Sequence, residues 1–137
     1  MIGVGIRMLD RVTIPKNLLI LHYHLRPGGV RRVIEMYLPA LAASGAFDTI
    51  TLASGDSPDK TWADQVKTSV KGVRFTIRTE PVLSYLTANA ADSARIRQEI
   101  GAFLARSAGQ ETLVWAHNLG LARNILLADE LARFSAE

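Results

Sequence analysis

From Asn17 the chain reads Asn-Leu-Leu-Ile-Leu-His-Tyr, a short apolar run without alternation, the pattern of a parallel strand covered on both faces. Arg26-Pro27-Gly28-Gly29 stops it. After the glycines, Val30, Val33, Ile34, Tyr37, Leu38, Leu41 and Ala42 recur at helical spacing as one apolar stripe, with Arg31, Arg32 and Glu35 off it. Pro39 falls inside this pattern and is expected to kink the helix. Ser44-Gly45 supplies a C-terminal stop, and 47–53 reads as a second strand, which completes a βαβ unit of about 37 residues. Beyond it, Ser54-Gly55-Asp56-Ser57-Pro58-Asp59 is a turn cluster, followed by a helix over 62–70 and a third strand over 73–77. A stronger helix follows the 89–93 region, with Ile96, Ile100, Phe103 and Leu104 on one face and Gly109 just past its end. A fourth strand over 112–116 precedes a last amphipathic helix carrying Leu121, Ile125, Leu126, Leu131 and Phe134.

Strands alternating with helices at this spacing predict an α/β fold, a Rossmann-like three-layer sandwich with a mainly parallel sheet. Ligands in such folds bind at the carboxyl ends of the strands. Three segments are expected to converge there: 22–29 after the first strand, 54–59 after the second, and His117-Asn118 after the fourth. Residues 1–16 show no clean period and end at Pro15, so they read as a leader before an ordered domain over 17–137. Gly3 and Gly5 lack the third glycine and the preceding strand of a dinucleotide fingerprint.

Composition narrows the function classes. The 137 residues are 48% hydrophobic and 21% charged, the profile of one ordinary globular domain long enough to bury a core without disulfides or a structural metal. No Cys is present, which excludes disulfide frameworks, thiolate zinc sites and cysteine nucleophiles. The net charge of +3 hides an asymmetry, because residues 1–32 carry Arg7, Arg11, Lys16, Arg26, Arg31 and Arg32 against Asp10 alone. Only Tyr23 interleaves with that cluster, so an anionic small ligand is expected rather than nucleic acid. No run approaches a membrane span or a signal peptide, and a soluble, cytoplasmic protein is expected.

The Pro27-Gly28-Gly29 loop precedes a helix whose first turn holds Arg31 and Arg32. Free backbone N–H groups and the positive helix end favour an anion there, and glycine admits an oxygen without a Cβ in the way. The plainer alternative is a tight turn that joins strand to helix. His22 and His24, two apart, together with His117, invite a three-histidine zinc site, but the sequence offers only spacing, and no metal is expected. His117, at the tip of an apolar strand and followed by Asn118, is the best ligand-facing candidate, able to donate to a sugar hydroxyl or shuttle a proton. Its alternative is a partly buried histidine beside an Asn118 helix cap. Trp62 and Trp115 read as core or domain-facing residues, and Asp56 and Asp59 as turn formers. No serine elbow, His-Glu-x-x-His or paired-carboxylate arrangement is present, so self-contained hydrolysis is unsupported.

The stretch from Leu19-Ile20-Leu21-His22-Tyr23-His24 through Arg26-Pro27-Gly28-Gly29-Val30-Arg31-Arg32 to Glu35, with Leu38, Leu41 and Ser44-Gly45 after it, resembles the start of a family 4 glycosyltransferase. Leu113-Val114-Trp115-Ala116-His117-Asn118 is similar to that family's strand ending in a histidine. The resemblance implies the N-terminal, acceptor-side half of a GT-B fold, which transfers a sugar from a nucleotide-sugar donor to a carbohydrate or lipid-linked acceptor with retention of configuration. It implies that Gly28 and Gly29 present amides to donor phosphate or acceptor and that His117 contacts the transferred sugar, with no cofactor. Arg26, Arg31 and Asn118 are added as substrate-binding candidates, the two arginines on electrostatic grounds. Two departures stand out: Pro27 abuts the glycine pair where relatives often carry two intervening residues, and no Glu pair has the family's seven-residue separation, Glu130 and Glu137 missing it by one. That spacing belongs to a C-terminal, nucleotide-holding domain. The chain is therefore expected to be a fragment of a longer enzyme, inactive alone, whose partners include that missing domain, with peripheral membrane contact compatible with the lack of a span. The alternative expectation is a non-catalytic, flavodoxin-like binding or interaction module.

Overall fold

The computed structural model describes residues 13–87, 92–121 and 123–137. The elements run β1 (Asn17–His22), α1 (Gly29–Ala43), β2 (Thr49–Ser54), α2 (Lys60–Ser69), β3 (Arg74–Thr79), α3 (Ser93–Ser107), β4 (Thr112–Ala116) and α4 (Ile125–Ser135). Single 3-10 turns occupy Pro81–Leu83 and Leu119–Leu121. Residues 1–12 of the expected leader, with Gly3, Gly5, Arg7 and Arg11, lie outside the described residues, as do 88–91.

Leu18, Leu19, Ile20 and Leu21 are all buried, because β1 is a central strand with a helical layer on each face. Leu18 and Ile20 join Ile34, Leu38, Trp62 and Val66 of α1 and α2 on one side. Leu19 and Leu21 join Ile100, Phe103 and Leu104 of α3 and Leu126 and Leu127 of α4 on the other. That explains the missing alternation: both parities of the strand are inside. β3 shows the opposite case, with Phe75 and Ile77 packed on the first core while Arg74 and Thr76 are exposed, as befits an edge strand covered on one face.

Among the described residues four strands form one sheet, all parallel, in the order β3-β2-β1-β4, giving a Rossmann-like three-layer α/β sandwich. The first two crossovers step outward from β1 and the third returns past it to β4. A constant right-handed crossover must then place α3 on the face opposite α1 and α2, as the two separate cores require. The loops after β1 and β4 therefore leave toward opposite faces, and a crevice opens between their carboxyl ends.

Three expectations shift in detail. α1 continues without a break through Pro39 to Ala43, since the proline removes a single hydrogen bond one turn from the helix end. The last helix starts at Ile125, not before Leu121, because Asn124 caps it by accepting from the Leu127 amide at 3.0 Å. Strand β3 reaches Thr79, two residues beyond the apolar pattern, because Ala53 and Ser54 of β2 pair with Arg78 and Thr79. No helix among the described residues is long and apolar enough to cross a membrane.

Candidate functional site

β1 ends at His22, and the chain crosses the carboxyl edge as Tyr23–Pro27 before Gly28 opens α1. Gly28 is the N-cap of α1, no side chain caps this end, and no acidic residue sits in its first turn. The first intrahelical bond runs from the Arg32 amide to the Gly28 carbonyl at 3.0 Å, so the amides of Gly29, Val30 and Arg31 precede any helical partner. A Cβ on Gly28 would come no nearer than 3.9 Å to the Arg26 carbonyl, and one on Gly29 would meet nothing within 4 Å. Packing within the chain thus demands glycine at neither position.

His117 follows β4, and its amide extends the ladder by donating to the Leu21 carbonyl at 3.0 Å. The imidazole packs against Trp115 with ring centroids 4.3 Å apart and stands edge-on to His22 at 6.3 Å. Burial lowers its pKa, which keeps the ring neutral. Its Nε2 is buried and has no hydrogen-bond partner among the described residues, a state that costs about 1–3 kcal/mol unless a ligand or water completes it. Asn118 beside it adopts the left-handed conformation at φ 57°, which asparagine tolerates, and its carbonyl accepts from Tyr23 Oη at 3.4 Å and from the Leu121 amide at 3.1 Å. The helix-cap alternative for Asn118 is not taken, since Asn124 holds that role.

His22 is only 6% exposed. Its Nδ1 donates to the His117 carbonyl at 3.4 Å, tying the tips of β1 and β4 together. Burial pushes its pKa down to about 4 against the opposing pull of that carbonyl, with the neighbouring histidines lowering it further. The strand does not persist to His24, yet the His22 and His24 rings still lie 5.2 Å apart. Three histidines do gather here, but among the described residues no group of three His, Asp or Glu side chains is placed to hold a metal ion.

The candidate arginines come to the same edge and meet carboxylates there. Arg26 contacts Asp56 Oδ2 through Nε at 3.1 Å and through Nη2. Arg31, with a side chain 15% exposed, donates to Asp59 Oδ2 at 2.7 Å and to the Leu25 carbonyl at 3.2 Å, and its guanidinium lies 4.7 Å over the Trp62 ring. Asp59 also caps α2 through the Trp62 amide at 2.9 Å, and that bond, then Arg31, holds its carboxyl below the ordinary range. The turn aspartates thus serve as cap and counter-ions.

Arg26, Gly28, Gly29, Arg31 and Asn118 all line one cleft of about 160 Å³, with His22 among its walls and His117 adjoining them through Asn118. The sequence reading missed Tyr23 and Tyr85, which line it too. Tyr85 follows the 3-10 turn after β3, and in a parallel sheet the loop after every strand reaches the same edge; that was the available signal. Asn124, 1% exposed, was also missed: its Nδ2 donates to the carbonyls of Val82 at 3.1 Å and Ser84 at 2.9 Å and fixes the segment carrying Tyr85. A larger depression of about 390 Å³ lies among Asn17, Thr49, Thr51 and Gln110 at the amino edge. α3 ends there and among the described residues no helix begins there, so the carboxyl edge, with its uncapped helix start, is the better anion and ligand site.

Comparison with known proteins gives no match: no family model, no curated protein and no solved structure aligns significantly with the chain.

Proposed function

We propose that this domain is the N-terminal, acceptor-side half of a retaining GT-B glycosyltransferase that binds a nucleotide-sugar donor between the glycine loop and His117. The observation that carries the reading is the meeting of an uncapped helix start at Gly28-Gly29 with a histidine-tipped strand across the β1/β4 crevice, where the two loops part. The amides of Gly29 to Arg31 suit a phosphate or sugar oxygen, and the unpartnered Nε2 of His117, buried beside the cleft, is a group that a sugar hydroxyl entering there would satisfy. A cleft of about 160 Å³ is smaller than the roughly 300–1,000 Å³ of complete ligand pockets, as one wall of a two-lobed site would be.

The test is a titration of the 15N-labelled chain with uridine and guanosine diphosphate sugars. The Gly28, Gly29 and His117 resonances are expected to shift, with weak affinity. Gly28→Ala and Gly29→Ala should leave the melting temperature nearly unchanged, because neither added Cβ collides, and should weaken binding about tenfold by blocking close approach to the amides. Silence of these three residues with every nucleotide sugar would rule the reading out.

One observation favours a second reading, a non-catalytic binding or interaction module. Val33, Met36 and Tyr37 of α1 and Leu113 of β4 are exposed beside an apolar groove of about 220 Å³ bounded by Leu41, Phe47 and Trp115. Under that reading, light scattering shows a stable complex that Tyr37→Lys and Leu113→Lys disperse. A monomer with intact nucleotide-sugar binding removes it.

A further inference from the structure

The sequence places its basic excess in residues 1–32, but the fold pairs the four of those cations that it describes. Lys16 lies near Glu111 at 4.0 Å, Arg26 on Asp56, Arg31 on Asp59 and Arg32 near Glu35 at 3.7 Å. The two that border the cleft are the most tightly held, Arg26 through two nitrogens and Arg31 through a carboxylate, a carbonyl and an indole face. An acceptor phosphate placed among them would stand beside the Asp56 and Asp59 carboxylates and would have to break existing pairs to gain new ones. Beyond the helix start, the residues that line the cleft offer an anion little.

The polar groups it does offer belong to a hydroxyl-binding wall. The Arg26 amide donates to His24 Nδ1 at 3.4 Å, which puts the ring hydrogen on Nε2. Nε2–H then donates to Tyr85 Oη at 3.1 Å. The phenol hydrogen and a remaining lone pair of Tyr85 are left for a ligand, one donor and one acceptor on a single atom, which is what a sugar hydroxyl pairs with. Tyr85 is 43% exposed and its ring is held edge-on by Tyr23 at 5.2 Å and His24 at 5.4 Å, so its orientation is set before any ligand arrives. Burial keeps the nearby His22 and His117 rings uncharged at neutral pH, in line with a wall that binds hydroxyls and not anions.

We infer that the acceptor taken by this half-site is an uncharged, hydroxyl-rich sugar ring, held by the Tyr85 hydroxyl that His24 orients beside the glycine loop, and not a phosphorylated or carboxylated one. This rests on the glycosyl-transfer reading and names its acceptor class. Tyr85 is then the residue that sets acceptor specificity. Arg123, whose guanidinium lies 5.6 Å over the Tyr85 ring, is the cation an anionic acceptor would need, and so serves as the control.

The experiment titrates the labelled full chain with methyl glycosides of glucose, galactose, mannose and N-acetylglucosamine, each beside its 6-phosphate. At least one neutral glycoside is expected to shift Tyr85 and His24 and to bind no more weakly than its phosphate. Tyr85→Ala should weaken that binding at least about tenfold, and Tyr85→Phe, which keeps the ring and loses the hydroxyl, by an intermediate factor. Neutral glycosides that all leave Tyr85 unmoved overturn the inference, as does a 6-phosphate bound about tenfold tighter whose advantage disappears in Arg123→Gln. Nucleotide-sugar shifts at Gly28 and Gly29 without glycoside shifts at Tyr85 keep the transferase reading and discard this acceptor. Glycoside shifts alone keep the neutral-sugar wall and discard the transferase.

Discussion

Replacing Gly55 by alanine is expected to destabilise the domain by about 3 kcal/mol and lower its melting temperature by on the order of 10 °C, the upper range for overpacking in a chain this size. A Cβ there would stand within 2.5 Å of Ser84 Cα and 2.4 Å of Ser84 N, distances no rotamer change can relieve. Neither backbone is free to yield. The Gly55 amide donates to the Tyr23 carbonyl at 2.9 Å, the Ser84 amide to the Pro81 carbonyl at 3.1 Å, and the Ser84 carbonyl accepts from Asn124. The added methyl therefore pries apart the loops after β1, β2 and β3 where they bundle at the cleft. Ser84→Gly in the same chain removes the Oγ that the Cβ would also meet but leaves N and Cα in place, so it should rescue little. Urea or thermal unfolding followed by circular dichroism measures both variants, and a Gly55→Ala protein melting within two degrees of the parent would refute the argument.

The contrast between Gly55 and the Gly28-Gly29 pair shows where sequence reading succeeds and where it stops. All three glycines sit in turn clusters after strands, and composition treats them alike. Only in the packed fold is Gly55 demanded by backbone approach while the pair is not. The strands and helices were legible because their signals are local: the unalternated β1 run, the α1 stripe and the turn clusters each state their own surroundings. The parallel sheet with helices on both faces followed from alternation plus crossover handedness, whereas the strand order, set by which strands pair across the sheet, did not.

Charge was legible only as a sum. Residues 1–32 look strongly basic because the carboxylates that answer Lys16, Arg26, Arg31 and Arg32 come from positions 35 to 111, brought close by folding. The same applies to Tyr85 and Asn124. Neither lies on a periodic face, and the cleft needs both because Asn124 reaches back across about 40 positions to hold the Val82 and Ser84 carbonyls. His117 stood out as a strand-tip histidine, but its unpartnered buried Nε2 is a property of the packed edge and has no trace in sequence.

Between pH 6.5 and pH 4 the domain is expected to lose about 3 kcal/mol of stability through His22, and His22→Asn to lose far less. In the unfolded chain this imidazole takes its proton near its ordinary value of 6.5, whereas burial in the fold pushes that event down to about 4. Across the interval the unfolded state binds the extra proton, so acidification pulls the equilibrium toward it; the contribution is intact above pH 6.5, falls as pH drops toward 4, and levels off below. His117, lowered in the same direction, steepens the slope. The lowered carboxyls of Asp59 and Asp64 act in a more acidic window and do not imitate the effect. Asparagine suits the test because its amide can still donate to the His117 carbonyl while having no proton to gain. Urea midpoints at pH 7 and pH 5 for both proteins measure the difference, and equal slopes would sink the assignment to His22. The consequence reaches the cleft, since the bond from His22 to His117 joins the β1 tip to the β4 tip. The His117 carbonyl favours the charged ring, so it is the burial penalty on that charge, with His24 and His117 beside it, that favours opening of this edge; ligand binding should weaken over the same pH interval, and less so in His22→Asn.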